Sequence, residues 1–219
     1  MKALFIGNSH TYYNSMPQMV KELFEATGEK SHVTMSTEGG KCLSYHCERK
    51  DVVFNIRYGE YDVVVLQGKA THFDPDDFVE AGKKMLENSL SQVPARRVLY
   101  LIWANRVHPE EQPMITEGFR RLAAILSADI APAGEVWHGL IAKQPELADV
   151  FYREDGNHAT PIGSYLAATT LFYTLSRRET PLPATVDTAL CERVGIDPTL
   201  RNLIHETACE AARAYRFHA

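Results

Sequence analysis

Two runs constrain this chain more than anything else in it: Val63-Val64-Val65-Leu66 and Val98-Leu99-Tyr100-Leu101-Ile102. Both are continuously apolar and rich in branched side chains, the pattern of a strand covered on both faces of a parallel sheet. A parallel sheet needs a crossover between strands, and the segments around these runs supply it. A strand is predicted over residues 2–6, ending at Gly7, and a second over residues 31–37, where Val33 and Met35 alternate with polar residues. The third and fourth strands are expected over 61–66 and 96–103, and a weaker fifth over 129–137, interrupted by Pro132 and Gly134. Trp137, at the end of that fifth strand, reads as core.

Helical signals fill the gaps. Ser15-Met16-Pro17-Gln18 opens a helix: Ser15 can cap it, Pro17 suits the first turn and Gln18 completes a capping box. Met19, Val20, Leu23 and Phe24 give that helix an apolar face, and Gly28 stops it. Further helices are expected over 76–90, 110–126, 160–176 and 200–215. Thr160 caps the third of these, with Pro161 at its first position. The order predicts an α/β fold, a three-layer αβα sandwich around a five-stranded parallel sheet. No linker is evident, so residues 1–219 are expected to form a single domain, with a C-terminal helix within 200–216. Right-handed crossovers put every strand's carboxyl end on one edge, which is where ligands bind in such sheets.

Composition narrows the function. The 23 basic and 28 acidic residues leave a net charge of −5, which speaks against nucleic-acid binding. No stretch approaches a membrane span, and the N-terminal apolar run is too short for a signal-peptide core, so a cytoplasmic protein without membrane partners is expected. Cys42, Cys47, Cys191 and Cys209 form no Cys-x-x-Cys pair and read as free thiols. His72, His108, His138, His205 and His218 lack metal-ligand spacing, so neither metal nor cofactor is expected.

Three segments fall at the predicted binding edge. Gly7-Asn8-Ser9-His10 follows the first strand and exposes a hydroxyl in a turn. Glu38-Gly39-Gly40 follows the second; paired glycines let backbone N–H groups approach a ligand closely, as an oxyanion hole requires. Asp155-Gly156-Asn157-His158 precedes the Thr160-capped helix. A hydrolytic serine needs a base, and the base needs an acceptor on its other nitrogen. Asp155 can supply that acceptor to His158 locally. A Gly-x-Ser-x-Gly elbow is absent.

Together these segments resemble the SGNH (GDSL-type) hydrolases over about residues 2–178. Gly7-Asn8-Ser9 is similar to the family's first block, Gly40 within Gly39-Gly40-Lys41-Cys42-Leu43 to its second, and Asp155-x-x-His158 to its fifth. The resemblance implies a flavodoxin-like SGNH fold and a serine esterase. Ser9 would be the nucleophile, His158 the general base and acid, and Asp155 its orienter. The Ser9 and Gly40 N–H groups would hold the oxyanion. The third block departs: Gln67-Gly68-Lys69-Ala70 replaces the Gly-x-Asn-Asp pattern, so Gln67, or Asn105 after the fourth strand, is expected to donate instead. Gly39, His10, Tyr12, Asn105 and Trp103 are expected to contact substrate. The implied substrate is a small-molecule ester with a short, acetyl-like acyl group, an acylated carbohydrate being one such ester. The competing reading is a non-catalytic flavodoxin-like domain that binds a ligand or partner at the same edge with Ser9 idle.

Overall fold

The computed structural model describes residues 1–217, leaving His218 outside the described residues. Strand β1 (Lys2–Gly7) runs into a single helical turn, α1 (Ser9–Tyr12), and then α2 (Met16–Ala26). Next come β2 (His32–Thr37), α3 (Leu43–Cys47), α4 (Lys50–Tyr58) and β3 (Val63–Gln67). The alternation continues through α5 (Pro75–Asn88), β4 (Arg96–Tyr100), α6 (Gln112–Leu126) and β5 (Asp129–Ala131). Five helices follow: α7 (Ala133–Lys143), α8 (Leu147–Phe151), α9 (Pro161–Ser176), α10 (Thr188–Val194) and α11 (Pro198–Ala214). The strands form one wholly parallel sheet in the order β2-β1-β3-β4-β5. From β1 the chain goes to β2 on one side and returns to β3 on the other. The crevice beyond the carboxyl ends of β1 and β3 is therefore a topological switch point.

Side chains alternate across the sheet and build a core on each face. Ala3, Phe5, Val63, Val65, Val98 and Tyr100 pack with α2, α7 and α9. Leu4, Ile6, Val64, Leu66 and Leu99 face α5 and α6, whose Phe78, Met85, Phe119 and Leu122 fill the second core. The unbroken apolar runs are thus explained by burial on both sides. Helix α9 is buried from Gly163 to Leu175, because α2 and α11 cover the sides that the sheet does not. The C-terminal helix therefore packs on α9 and α7 of its own chain. A buried polar cluster ties that layer together. Asp187 accepts from Arg201 Nη2 at 2.7 Å and from the Tyr165 hydroxyl, and lies 3.2 Å from His205 Nε2. Among the described residues no helix is long and apolar enough to cross a membrane.

Three local expectations need correction. The predicted fifth strand ends at Ala131, and residues from Ala133 onward are helical. Pro132 breaks the ladder, and Ala133, Val136, Trp137 and Leu140 then bury at helical spacing. Gly134 permits the tight turn, since a Cβ there would sit 2.3 Å from the Ile102 carbonyl oxygen. Trp137 is core, but on a helix. The fourth strand likewise stops at Tyr100, where β5 ceases to pair with it. Finally, Ser15 is left-handed at φ 55° and its side chain caps nothing, so the expected capping box is not formed. Asn14 before it is left-handed too, at φ 53°. Such residues cost about 1 kcal/mol each, and Asn14 uses the bend to bond the segment leading into α9, as described below.

Candidate active site

Ser9 is set by the turn that closes β1. Asn8 caps α1 by accepting from the His10 N–H, and its Nδ2 donates to the Lys41 carbonyl at 2.9 Å. One side chain thus joins the Ser9 turn to the Gly39-Gly40 loop, 33 residues later in the chain. Gly40 has φ +70°, and a Cβ at Gly39 would lie 2.9 Å from the Tyr12 hydroxyl. The first position needs glycine for its conformation and the second for space.

The His158 loop is a local construction. Asp155 Oδ1 accepts from the backbone N–H groups of Asn157 and His158, both at 2.9 Å, and Gly156 takes φ +65°. A bridge between Tyr152 and Ala159 closes the loop's base. The loop is held from outside as well. Trp103 Nε1 donates to the Asn157 carbonyl at 2.9 Å, and the Arg106 N–H to that of Gly156 at 2.8 Å. Asn14 Nδ2 donates to Ala159 O at 3.0 Å and Ser164 Oγ at 2.8 Å. Helix α9 begins immediately after, with the Thr160 hydroxyl accepting from the Gly163 N–H.

These two constructions meet across 149 residues of sequence. Ser9 Oγ lies 2.9 Å from His158 Nε2, and His158 Nδ1 lies 2.6 Å from Asp155 Oδ2. The acidic partner sets the tautomer: Nδ1–H donates to Asp155, which leaves Nε2 to accept from the serine hydroxyl. Burial pushes the Asp155 carboxyl up, but hydrogen bonds from His158 and the loop N–H groups outweigh it and hold Asp155 well below the usual carboxylate range. Tyr13 packs edge-on against the His158 ring, with centroids 4.4 Å apart. A cleft of about 290 Å³ opens here, lined by Ser9, His158, Gly39, Gly40, Tyr12 and Lys69.

His10 also reaches this cleft, but as a buried ring 5.3 Å from that of His158. Burial, reinforced by the neighbouring His158, lowers its pKa to about 4, so it stays neutral near neutral pH.

Other expected site residues lie elsewhere. Gln67 is 1% exposed and its carboxamide is fully engaged. Oε1 accepts from the Asn8 N–H at 3.1 Å and the Thr11 hydroxyl at 2.6 Å; Nε2 donates to Asn8 Oδ1 at 2.7 Å and Gly68 O at 2.5 Å. It has no donor left for an oxyanion, so its place is beneath the Ser9 turn. Trp103 stacks on Trp137 at 3.9 Å and supports the His158 loop from behind. Asn105 accepts from the Val107 N–H and does not line the cleft. Lys69, Asn14 and the Asn8–Lys41 link escaped the sequence reading. Only the departure from the third-block pattern at Gln67-Gly68-Lys69 marked that segment as unusual.

No protein-family model matches the sequence, and no curated protein matches it. Solved structures do. A DUF4886 family protein from Bacteroides uniformis superposes with a TM-score of 0.72 at 20% identity, covering 96% of this chain and 94% of its own. Esterase EstA from Pseudoalteromonas, inhibited by monoethylphosphonate, gives 0.60 at 14% identity over 80% of this chain and 97% of its own. A catalytic mutant of Axe2, an acetylxylan esterase from Geobacillus stearothermophilus, gives 0.61 at 11% identity over 90% and 95%. The fold is that of the SGNH and GDSL-type hydrolases.

Proposed function

We propose that this chain is a serine esterase that cleaves short-acyl esters through an acyl-enzyme. The observation that carries the reading is the continuous Ser9–His158–Asp155 hydrogen-bond chain opening onto a cleft. Ser9 Oγ attacks the acyl carbon as its proton passes to His158 Nε2, forming a tetrahedral intermediate. The Asp155 carboxylate, hydrogen-bonded to Nδ1–H, stabilises the imidazolium that results. Two N–H groups are assigned to the oxyanion, those of Ser9 and Gly40. Among the described residues neither donates to a backbone carbonyl outside regular elements. On collapse of the intermediate the acyl–oxygen bond to the alcohol breaks, and His158 protonates the departing oxygen. Water then attacks the acyl-enzyme with His158 again as base, releasing the acid and restoring Ser9.

The short-acyl assignment is supported by a protein of the same fold that is an acetylxylan esterase. A carbohydrate as the alcohol part fits that same likeness.

A fluorophosphonate probe separates this reading from a domain that only binds. Wild-type protein should label at one serine, and Ser9→Ala should not label. Ser9→Ala and His158→Ala should each lower hydrolysis of an activated acetate ester by about 10³-fold or more. Full turnover by Ser9→Ala ends the proposal.

A further inference from the structure

Lys69 is the cleft's one permanently charged side chain among the described residues that line it. It lies two residues beyond β3, is half-buried, and stands between two hollows. One is the Ser9 cleft. The other, about 260 Å³, is lined by Leu43, Phe73, Phe78, Asp74 and Asp77. Among the described residues the Lys69 ammonium makes no hydrogen bond and no ion pair. Lys21, Lys83 and Lys84 pair with glutamates on the open surface, whereas Lys69 is unpaired at the mouth of the cleft that holds Ser9.

The acids around Lys69 are occupied or turned away. Asp74 caps α5 by accepting from the Asp76 and Asp77 N–H groups, and Asp77 accepts from the Ser44 hydroxyl. Their charge makes the second hollow unfavourable to an anion. On the Ser9 side no Asp or Glu lines the cleft among the described residues. Asp155 is bonded to the far nitrogen of His158, while Glu38 and Glu154 are exposed and outside the lining. Arg153 lies outside the lining, its guanidinium engaged 5.4 Å over the ring of Tyr13, which leaves Lys69 as the cation of the cleft.

A substrate that fills the cleft displaces water from around the half-buried Lys69, and an anionic group on that substrate offsets the loss. The chain carries a net charge of −5, so this positive spot opposes the overall field and acts only at short range. Resting on the hydrolase reading of Ser9, we propose that the ester taken by this site carries a carboxylate close to the scissile bond, paired with Lys69 Nζ. A single ammonium matches a single negative charge, which favours a carboxylate over a phosphate dianion.

Matched ester pairs test it on either side of the bond. For the acyl side, mono(4-nitrophenyl) glutarate is compared with its neutral isostere 4-nitrophenyl 5-methylhexanoate. For the alcohol side, 3-carboxyphenyl acetate is compared with 3-carbamoylphenyl acetate. Ser9→Ala sets the background. The wild-type protein should favour the charged member of one pair by about tenfold or more in kcat/KM, mainly through KM. Lys69→Met should remove that preference, and Lys69→Glu should invert it. Raising salt to about 0.5 M should shrink it in the wild-type protein, a check independent of any variant. A neutral preference in both pairs overturns the inference. So does a Lys69→Met protein that loses turnover of charged and neutral esters alike, because the lysine would then serve every transition state equally. Ser9-dependent turnover without charge selection defeats only this inference; turnover indifferent to Ser9 defeats the hydrolase reading itself.

Discussion

Replacing Gln67 by methionine separates two roles that one side chain could play. Methionine keeps the length and volume of glutamine but offers no strong donor or acceptor. In the structure Gln67 sits under the Ser9 turn, and its Oε1 is the acceptor for the Asn8 N–H and the Thr11 hydroxyl. Both bonds are buried, so the substitution orphans two donors at about 1–3 kcal/mol each. Asn8 Oδ1 is less affected, because the His10 N–H still donates to it. The expected loss is roughly 3–4 kcal/mol, or about 10 °C in melting temperature for a chain of this size. Turnover should fall too, as the Ser9 turn loses its floor. Differential scanning calorimetry and ester hydrolysis, run on the same protein well below its melting point, supply the two readouts. An oxyanion donor behaves differently: its removal costs about 10²–10³ in kcat and leaves stability nearly untouched. A Gln67→Met protein with wild-type melting and that loss of kcat would refute the positioning argument.

Two further outcomes test the surrounding framework. His10, His46, His138 and His205 all have pKa values lowered by burial, so each is more readily protonated in the unfolded chain. The unfolded state therefore binds more protons, and stability must fall as pH drops from about 6.5 toward 4. For His10, at about 4 against an ordinary 6.5, the loss is about 2 kcal/mol by roughly pH 5. His10→Asn should lessen the fall in melting temperature over that interval, with His46, His138 and His205 keeping the rest; curves parallel to wild type would show that His10 is not buried neutral. Asp187→Ala strips the buried Arg201 of its counter-charge, which should cost about 3–5 kcal/mol. Fluorophosphonate labelling of Ser9 in that variant should persist below its lowered melting point, and loss of labelling there would mean that the cluster shapes the cleft as well as the helical layer.

Features written within a few adjacent residues could be read directly. The apolar runs at residues 63–66 and 98–100 read as doubly covered strands, because they are short and rich in the branched side chains that favour extended backbone. The Thr160-Pro161 helix start and the Asp155–His158 turn are likewise closed by bonds spanning three residues. Partnerships that cross the chain were not legible. The carboxamide of Gln67 looked free at a strand end, yet groups 59 and 56 residues away consume it. The stop of β5 at Ala131, and with it the move of Trp137 onto a helix, depended on the close approach of Gly134 to the Ile102 carbonyl. Capping, periodicity and turn geometry are short-range forces that a sequence carries in full. Which hydrogen-bonding groups remain unspent, and which cation is left unpaired beside the cleft, follows only from what packing brings alongside them.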